Sequence, residues 1–201
     1  MKLTRLTGIA LGLALALTAA AAYVFFQRET IQERIATAVE IGGPFKLASS
    51  NGGFVDSKDL AGKPYGVFFG FTHCPEVCPT TLYEMSGALA ELDEEARDFR
   101  LFFITVDPER DTAAMLKDYL SNFDPRIEAL VPTIEELPAI TRSFRAIYQK
   151  VPTSDGSYTM DHTALSYLFD PQGRVRVALR HEQTVDDYTA DVQALLAESA
   201  A

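Results

Sequence analysis

The chain has 201 residues, of which 28 are acidic and 18 basic, for a formal net charge of −10. Setting aside Lys2 and Arg5, the only charges in the first 26 residues, leaves 16 basic residues against 28 acidic ones, a net −12. Such a surface repels nucleic-acid phosphates, which excludes a nucleic-acid partner, and attracts basic ones.

In chain order, residues 6 to 26 carry no charge, and 21 apolar or small residues are long enough to cross a bilayer. Lys2 and Arg5 in front of that run place the N-terminus in the cytoplasm and the rest of the chain outside it. A cleaved signal peptide is the alternative, since Ala19 to Ala22 offer a peptidase small residues. Tyr23, Phe25 and Phe26 continue the run past any such cut and suit a membrane interface, which favours a retained anchor. The expected organisation is a cytoplasmic start and anchor over 1–26, a polar spacer over 27–40 and a domain over 41–201. That last stretch suffices for one compact unit with an adequate core.

Within the domain, residues 44–47 and 54–55 flank Asn51-Gly52-Gly53 and read as a hairpin. Residues 65–71, aromatic and β-branched, predict a buried strand, and 80–96 a helix. A second apolar strand follows over 99–106, then a helix over 112–122 with Thr112 as cap, and a strand over 127–131. Thr133 and Glu136 have the spacing of a capping box, and the helical pattern behind them runs to about residue 148 despite Pro138. Strands over 164–169 and 175–179 flank the turn Asp170-Pro171-Gln172-Gly173, and 185–197 is helical. This order predicts an α/β, thioredoxin-like sandwich: a central mixed β-sheet flanked by helices, behind an N-terminal transmembrane helix.

Both cysteines lie in Thr72-His-Cys-Pro-Glu-Val-Cys-Pro79, between the strand at 65–71 and the helix after it. α/β folds place ligands at such a strand–helix junction, and a helix N-terminus favours a thiolate there. Pro79 is tolerated in a first helical turn. If the turn between them is helical, Cys74 and Cys78 share a face with Cα atoms about 6 Å apart. That suits a disulfide bond or a shared metal ion. A bridge closing so short a loop restricts the unfolded chain very little, which weighs against a purely structural disulfide.

Of three histidines, His162 precedes the first strand of the closing hairpin, beside the strand leading to the cysteines in a thioredoxin-like topology. It is a candidate third ligand or proton donor, or else a turn cap. His73 points away if it ends the strand, and His181 reads as solvated. Two thiolates and an imidazole form a soft set that selects copper(I) or zinc, and the imidazole also suits copper(II). A structural zinc site wants four ligands, more than this chain supplies in the usual residues. Asp161 is a candidate to orient His162, or simply an aspartate forming a turn.

The stretches Ile41-Gly-Gly-Pro-Phe45, Phe71 to Pro79, Val106-Asp-Pro-Glu-Arg-Asp-Thr112 and Asp161-His-Thr163, in this order and spacing, resemble the Sco/SenC family. The resemblance implies a membrane-tethered, thioredoxin-like copper chaperone of cytochrome c oxidase assembly, in which Cys74, Cys78 and His162 bind one copper ion, Cu(I) or Cu(II). It implies a single-pass tether in the inner membrane, a domain facing the periplasm, a copper donor protein, and delivery to the binuclear copper centre of oxidase subunit II. Glu76 stands where the family often has aspartate, which keeps the charge.

The same thiols permit other chemistry. In thiol-disulfide exchange Cys74 attacks, Cys78 resolves, and the oxidase's copper-ligating cysteines are the substrate. A peroxiredoxin-like peroxidase would want an arginine beside the reactive thiol; Thr72 is near, but nothing in the sequence places an arginine there.

Overall fold

A computed structural model describes residues 41–199. The charge-free run at 6–26, its expected role as anchor and the spacer at 27–40 lie outside the described residues. Among the described residues no helix is long and apolar enough to cross a membrane.

Among the described residues nine strands and four α-helices follow one another as β1 Lys46–Ser49, β2 Phe54–Asp56, β3 Tyr65–Gly70, α1 Val77–Leu92, β4 Arg100–Thr105, α2 Ala113–Leu120 and β5 Ile127–Val131. They continue as α3 Leu137–Ser143, β6 Tyr148–Pro152, β7 Tyr158–His162, β8 Leu165–Phe169, β9 Val175–Arg180 and α4 Val185–Ser199. Seven strands form one sheet in the order β2-β1-β5-β4-β3-β8-β9. β3 runs parallel to β4 and β4 to β5, while β8 lies antiparallel to β3, so the sheet is mixed as expected. It is flanked by helices in a thioredoxin-like arrangement. β6 and β7 form a separate two-stranded sheet.

Every residue of β3 is buried, because a central strand is covered on both faces. Its side chains alternate between two cores. Phe68 joins Leu82, Met85, Leu89 of α1, Leu116 of α2 and Tyr188, Val192, Leu195 of α4 on one face. Val67 and Phe69 join Phe102, Ile104, Leu137, Phe144, Met160 and Phe169 on the other. Burying each such side chain contributes about 1.5–3 kcal/mol. Cys74 touches both cores at the sheet's edge.

Three expectations shift. The helix expected over 80–96 begins at Val77, which brings Cys78 inside its first turn, and gives way to a 3-10 turn over Asp93–Ala96. The helix expected to run from 133 to about 148 is only the seven residues of α3. Its capping box does form: Thr133 N–H donates to Glu136 Oε2 at 2.8 Å, and Glu136 N–H to Thr133 Oγ1 at 3.2 Å. The far end stops because Ala146 N–H reaches the Thr141 carbonyl at 2.8 Å and Arg145 N–H reaches Arg142 at 3.1 Å, with Arg145 at φ 55°. This is a Schellman termination with arginine at the left-handed position where glycine is usual. The chain it releases forms the β6–β7 hairpin, so Met160-Asp161-His162 ends a strand rather than lying in a loop.

Candidate metal centre

β3 ends at Gly70, and Cys74 precedes α1 while Cys78 sits in its first turn. A Cβ on Gly70 would lie 2.5 Å from the Phe103 ring and 2.9 Å from Cys78 Sγ. The glycine therefore lets α1 bring Cys78 down against the sheet. Cys78 is fully buried; Cys74 is half-buried, and its sulfur accepts the Cys78 N–H at 3.4 Å. Both are free thiols.

His162 arrives from β7, with Nε2 3.8 Å from Cys78 Sγ. The donor atoms of Cys74, Cys78 and His162 all lie within 4.8 Å of one another. Two ligands at 120° about a metal, with bonds of about 2.3 Å to sulfur and 2.0 Å to nitrogen as at zinc, stand about 3.7 Å apart. The Cys78–His162 separation already suits a shared ion, and a small contraction brings in Cys74. The His162 ring stands edge-on to Phe71, centroids 5.6 Å apart at 89°, and its Nδ1 lies 3.0 Å from the Thr163 carbonyl. That contact fixes the tautomer with the proton on Nδ1 and leaves Nε2 free to ligate. The orienting task expected of Asp161 thus falls to a backbone carbonyl. Asp161 itself is exposed, since neighbours on a strand face opposite ways.

His73 is exposed and turns from the sulfurs to Thr72 Oγ1 at 3.0 Å and Asp111 at 4.0 Å; His181 is exposed on the surface. Arg110, in the loop before α2, is engaged with Asp107 and Tyr158. Asp111 is the residue that sequence reasoning left without a role. Fully buried, it accepts Thr72 N–H at 3.1 Å, Thr72 Oγ1–H at 2.5 Å and Thr105 Oγ1–H at 2.6 Å, and so ties the chain just before Cys74 to the end of β4. A carboxylate in Asp107–Thr112, a run in which four of six residues are charged, was the available signal.

The Cys78 thiol donates to Cys74, which pulls the Cys74 thiol far below its ordinary value; burial opposes the shift, and the amides of Cys78 and Glu76 add to it. Cys78 is pushed up by donating that bond, by burial and by the charge on Cys74. The pair gives up one proton readily and the second with difficulty. An ordinary thiol, with pKa about 8.5, is nearly all protonated at pH 6. Iodoacetamide at pH 6 should therefore modify Cys74 alone, at a rate nearly flat from pH 5 to 8, as read by peptide mass spectrometry. Equal labelling of both thiols, or a Cys74 rate falling tenfold per pH unit, would contradict the assignment.

The SCO1/SenC family model matches residues 33–197. The mitochondrial SCO1 homolog 1 of Arabidopsis thaliana is 39% identical over 133 residues, 66% of this chain but 40% of that protein. The structure of Bradyrhizobium japonicum ScoI with copper bound is similar with a TM-score of 0.72 and 48% identity, covering 77% of this chain and 99% of that one. BsSco, a member of the Sco family of cytochrome c oxidase assembly proteins in which a disulfide switch was identified, is similar at a TM-score of 0.63 and 28% identity, over 79% and 94% of the two chains. The match spans nearly all of the domain that carries the two thiols and the imidazole, and this chain belongs to the SCO1/SenC family.

Proposed function

We propose that this chain is a membrane-tethered copper chaperone. Cys74, Cys78 and His162 bind one copper ion, as Cu(I) or Cu(II), and pass it to the binuclear copper centre of cytochrome c oxidase subunit II. The observation that carries the reading is the convergence of two sulfurs and Nε2 within 4.8 Å. The copper-bound relative at 48% identity supports the choice of metal. Soft sulfurs suit copper(I), and the imidazole extends the site to copper(II). Three ligands leave a coordination position open, and Cys74 and His162 are only half-buried. An incoming ligand from the acceptor enters on that side before the first ones leave, and a copper donor protein loads the site by the reverse exchange. The uncharged run at 6–26 behind Lys2 and Arg5 supports a single inner-membrane span, with the spacer at 27–40 and the copper domain from 41 onward in the periplasm.

One observation favours a second activity at the same place. A half-buried thiolate at Cys74 backed by a buried thiol at Cys78 is the order of an attacking and a resolving cysteine. In thiol-disulfide exchange Cys74 would open a disulfide between the oxidase's copper-ligating cysteines, and Cys78 would displace the mixed disulfide, leaving the target reduced and Cys74–Cys78 oxidised.

Copper stoichiometry and the copper(II) paramagnetic resonance spectrum of residues 41–201, beside His162→Ala, decide between them. The expected result is one copper with sulfur and nitrogen coupling, and a variant that keeps copper(I) on two thiolates but loses copper(II). An unchanged copper(II) spectrum in the variant removes His162 from the site. No copper in the reduced wild type moves the function to thiol exchange.

A further inference from the structure

His162 reaches the cysteines from outside the main sheet. Among the described residues its strand pairs only with β6, so its position depends on whatever fastens that hairpin to the body. Tyr158, Met160 and His162 share one face of β7. Met160 is buried in the core, and Tyr158 is gripped from three directions. Arg110 Nη1 donates to the Tyr158 carbonyl at 2.9 Å, and the guanidinium lies over the Tyr158 ring, 3.8 Å from its centre. The Tyr158 hydroxyl donates to Asp107 Oδ1 at 2.9 Å, while Arg110 Nε donates to Asp107 Oδ2.

Asp107 is buried and Arg110 four-fifths so. Arg110 Nη2 is left buried without a partner, an unfavourable placement accepted where the guanidinium plane is held against the ring. Lys150 of β6 adds an outer tie from the hairpin to the same loop, 4.7 Å from the Tyr158 ring and paired with Glu109 at 2.6 Å on the surface, where solvent screens the pair.

We infer that Asp107, Arg110 and Tyr158 form a clamp that positions His162, setting how far β7 extends over the cysteines and with it the 3.8 Å separation of His162 Nε2 from Cys78 Sγ. The loop between β4 and α2 is then a bracket with two arms. Asp111 holds the cysteine side through Thr72, and the Asp107–Arg110 pair holds the histidine side through Tyr158. The arms are separable because they act on different ligands. The copper consequences rest on the proposed function; the mechanical ones hold for the metal-free chain.

The test uses the full chain in detergent with Arg110→Ala and the milder Tyr158→Phe, which keeps the ring and the backbone bond. In the metal-free Arg110→Ala protein, amide exchange of β6 and β7 should rise while β3 and β4 stay protected. Copper(II) affinity should fall about 10- to 100-fold, the range for removing a group that orients a ligand, and nitrogen coupling should weaken while copper(I) affinity holds. Tyr158→Phe should shift the same readouts in the same direction by less. Wild-type exchange and an unaltered copper(II) spectrum in Arg110→Ala would overturn the clamp. So would equal loss of copper(I) and copper(II) with β3 and β4 deprotected in both variants, since that marks a general structural role. Should the wild type bind no copper, the proposed function fails, and the exchange pattern alone decides the clamp.

Discussion

Cys78→Ser should abolish stoichiometric copper binding and destabilise the domain at the same time. Cys78 is fully buried, with its sulfur against His162 Nε2 and beneath Gly70. A serine hydroxyl is a hard donor, neutral near pH 7, where copper(I) requires a soft anionic one. The loss of affinity should exceed the roughly 10- to 100-fold that removing a group behind a ligand costs, because here the proposed ligand itself goes. The hydroxyl is also buried where a weakly polar thiol sat, at a cost of about 1–3 kcal/mol if it finds no partner. Cys74→Ser should lose copper equally but cost less stability, since Cys74 is half-buried and its replacement can reach water. Copper per chain after desalting, with urea unfolding of each variant, separates the two effects. One copper retained by Cys78→Ser would remove it from the site.

The sequence makes the cysteine half of this arrangement legible and the rest only in part, for reasons that lie in particular residues. Tyr65–Gly70 is an unbroken apolar run that no exposed segment would carry, so the strand, and hence the junction where the thiols sit, follows from it. The parallel β3–β4 pair and the closing β8–β9 hairpin are visible for the same reason. β6 and β7 are not. Four residues of β6 are exposed, and Gln149, Lys150, Thr159 and Asp161 dilute any alternation. Leu137, Ile140, Thr141 and Phe144 also keep helical spacing up to a terminus marked by Arg145 rather than glycine. The pattern therefore overruns the true helix end and hides the hairpin behind it. The nearness of His162 to the thiols is still legible, because β8 pairs with β3 and the residues before β8 must approach the end of β3. The bonds that tie Asp111 to Thr72 and Tyr158 to Asp107 span 39 and 51 residues of sequence, which no local pattern records.

Asp111→Ala should weaken both the domain and its affinity for copper in either oxidation state. The carboxylate is fully buried and accepts three hydrogen bonds, two from Thr72 and one from Thr105. Removing it strands donors at the end of β3 and the end of β4. Hydrogen bonds to a charged group contribute about 1.5–3 kcal/mol each and are not additive, so a loss of about 3 kcal/mol is expected. For a domain of this size that lowers Tm by about 6–12 °C. Because Thr72 stands two residues before Cys74, its release loosens the sulfur that holds the thiolate. Copper(I) should then suffer along with copper(II), by about 10- to 100-fold, in contrast to Arg110→Ala, which spares copper(I). Asp111→Asn keeps one carbonyl oxygen for the Thr72 amide and should fall between the alanine variant and wild type. Thermal unfolding with paired copper(I) and copper(II) titrations makes the comparison. Wild-type stability and copper(I) affinity in Asp111→Ala would show that the Thr72 end of the loop holds itself. Copper(II) loss alone would instead assign Asp111 to the histidine arm and collapse the distinction between the two.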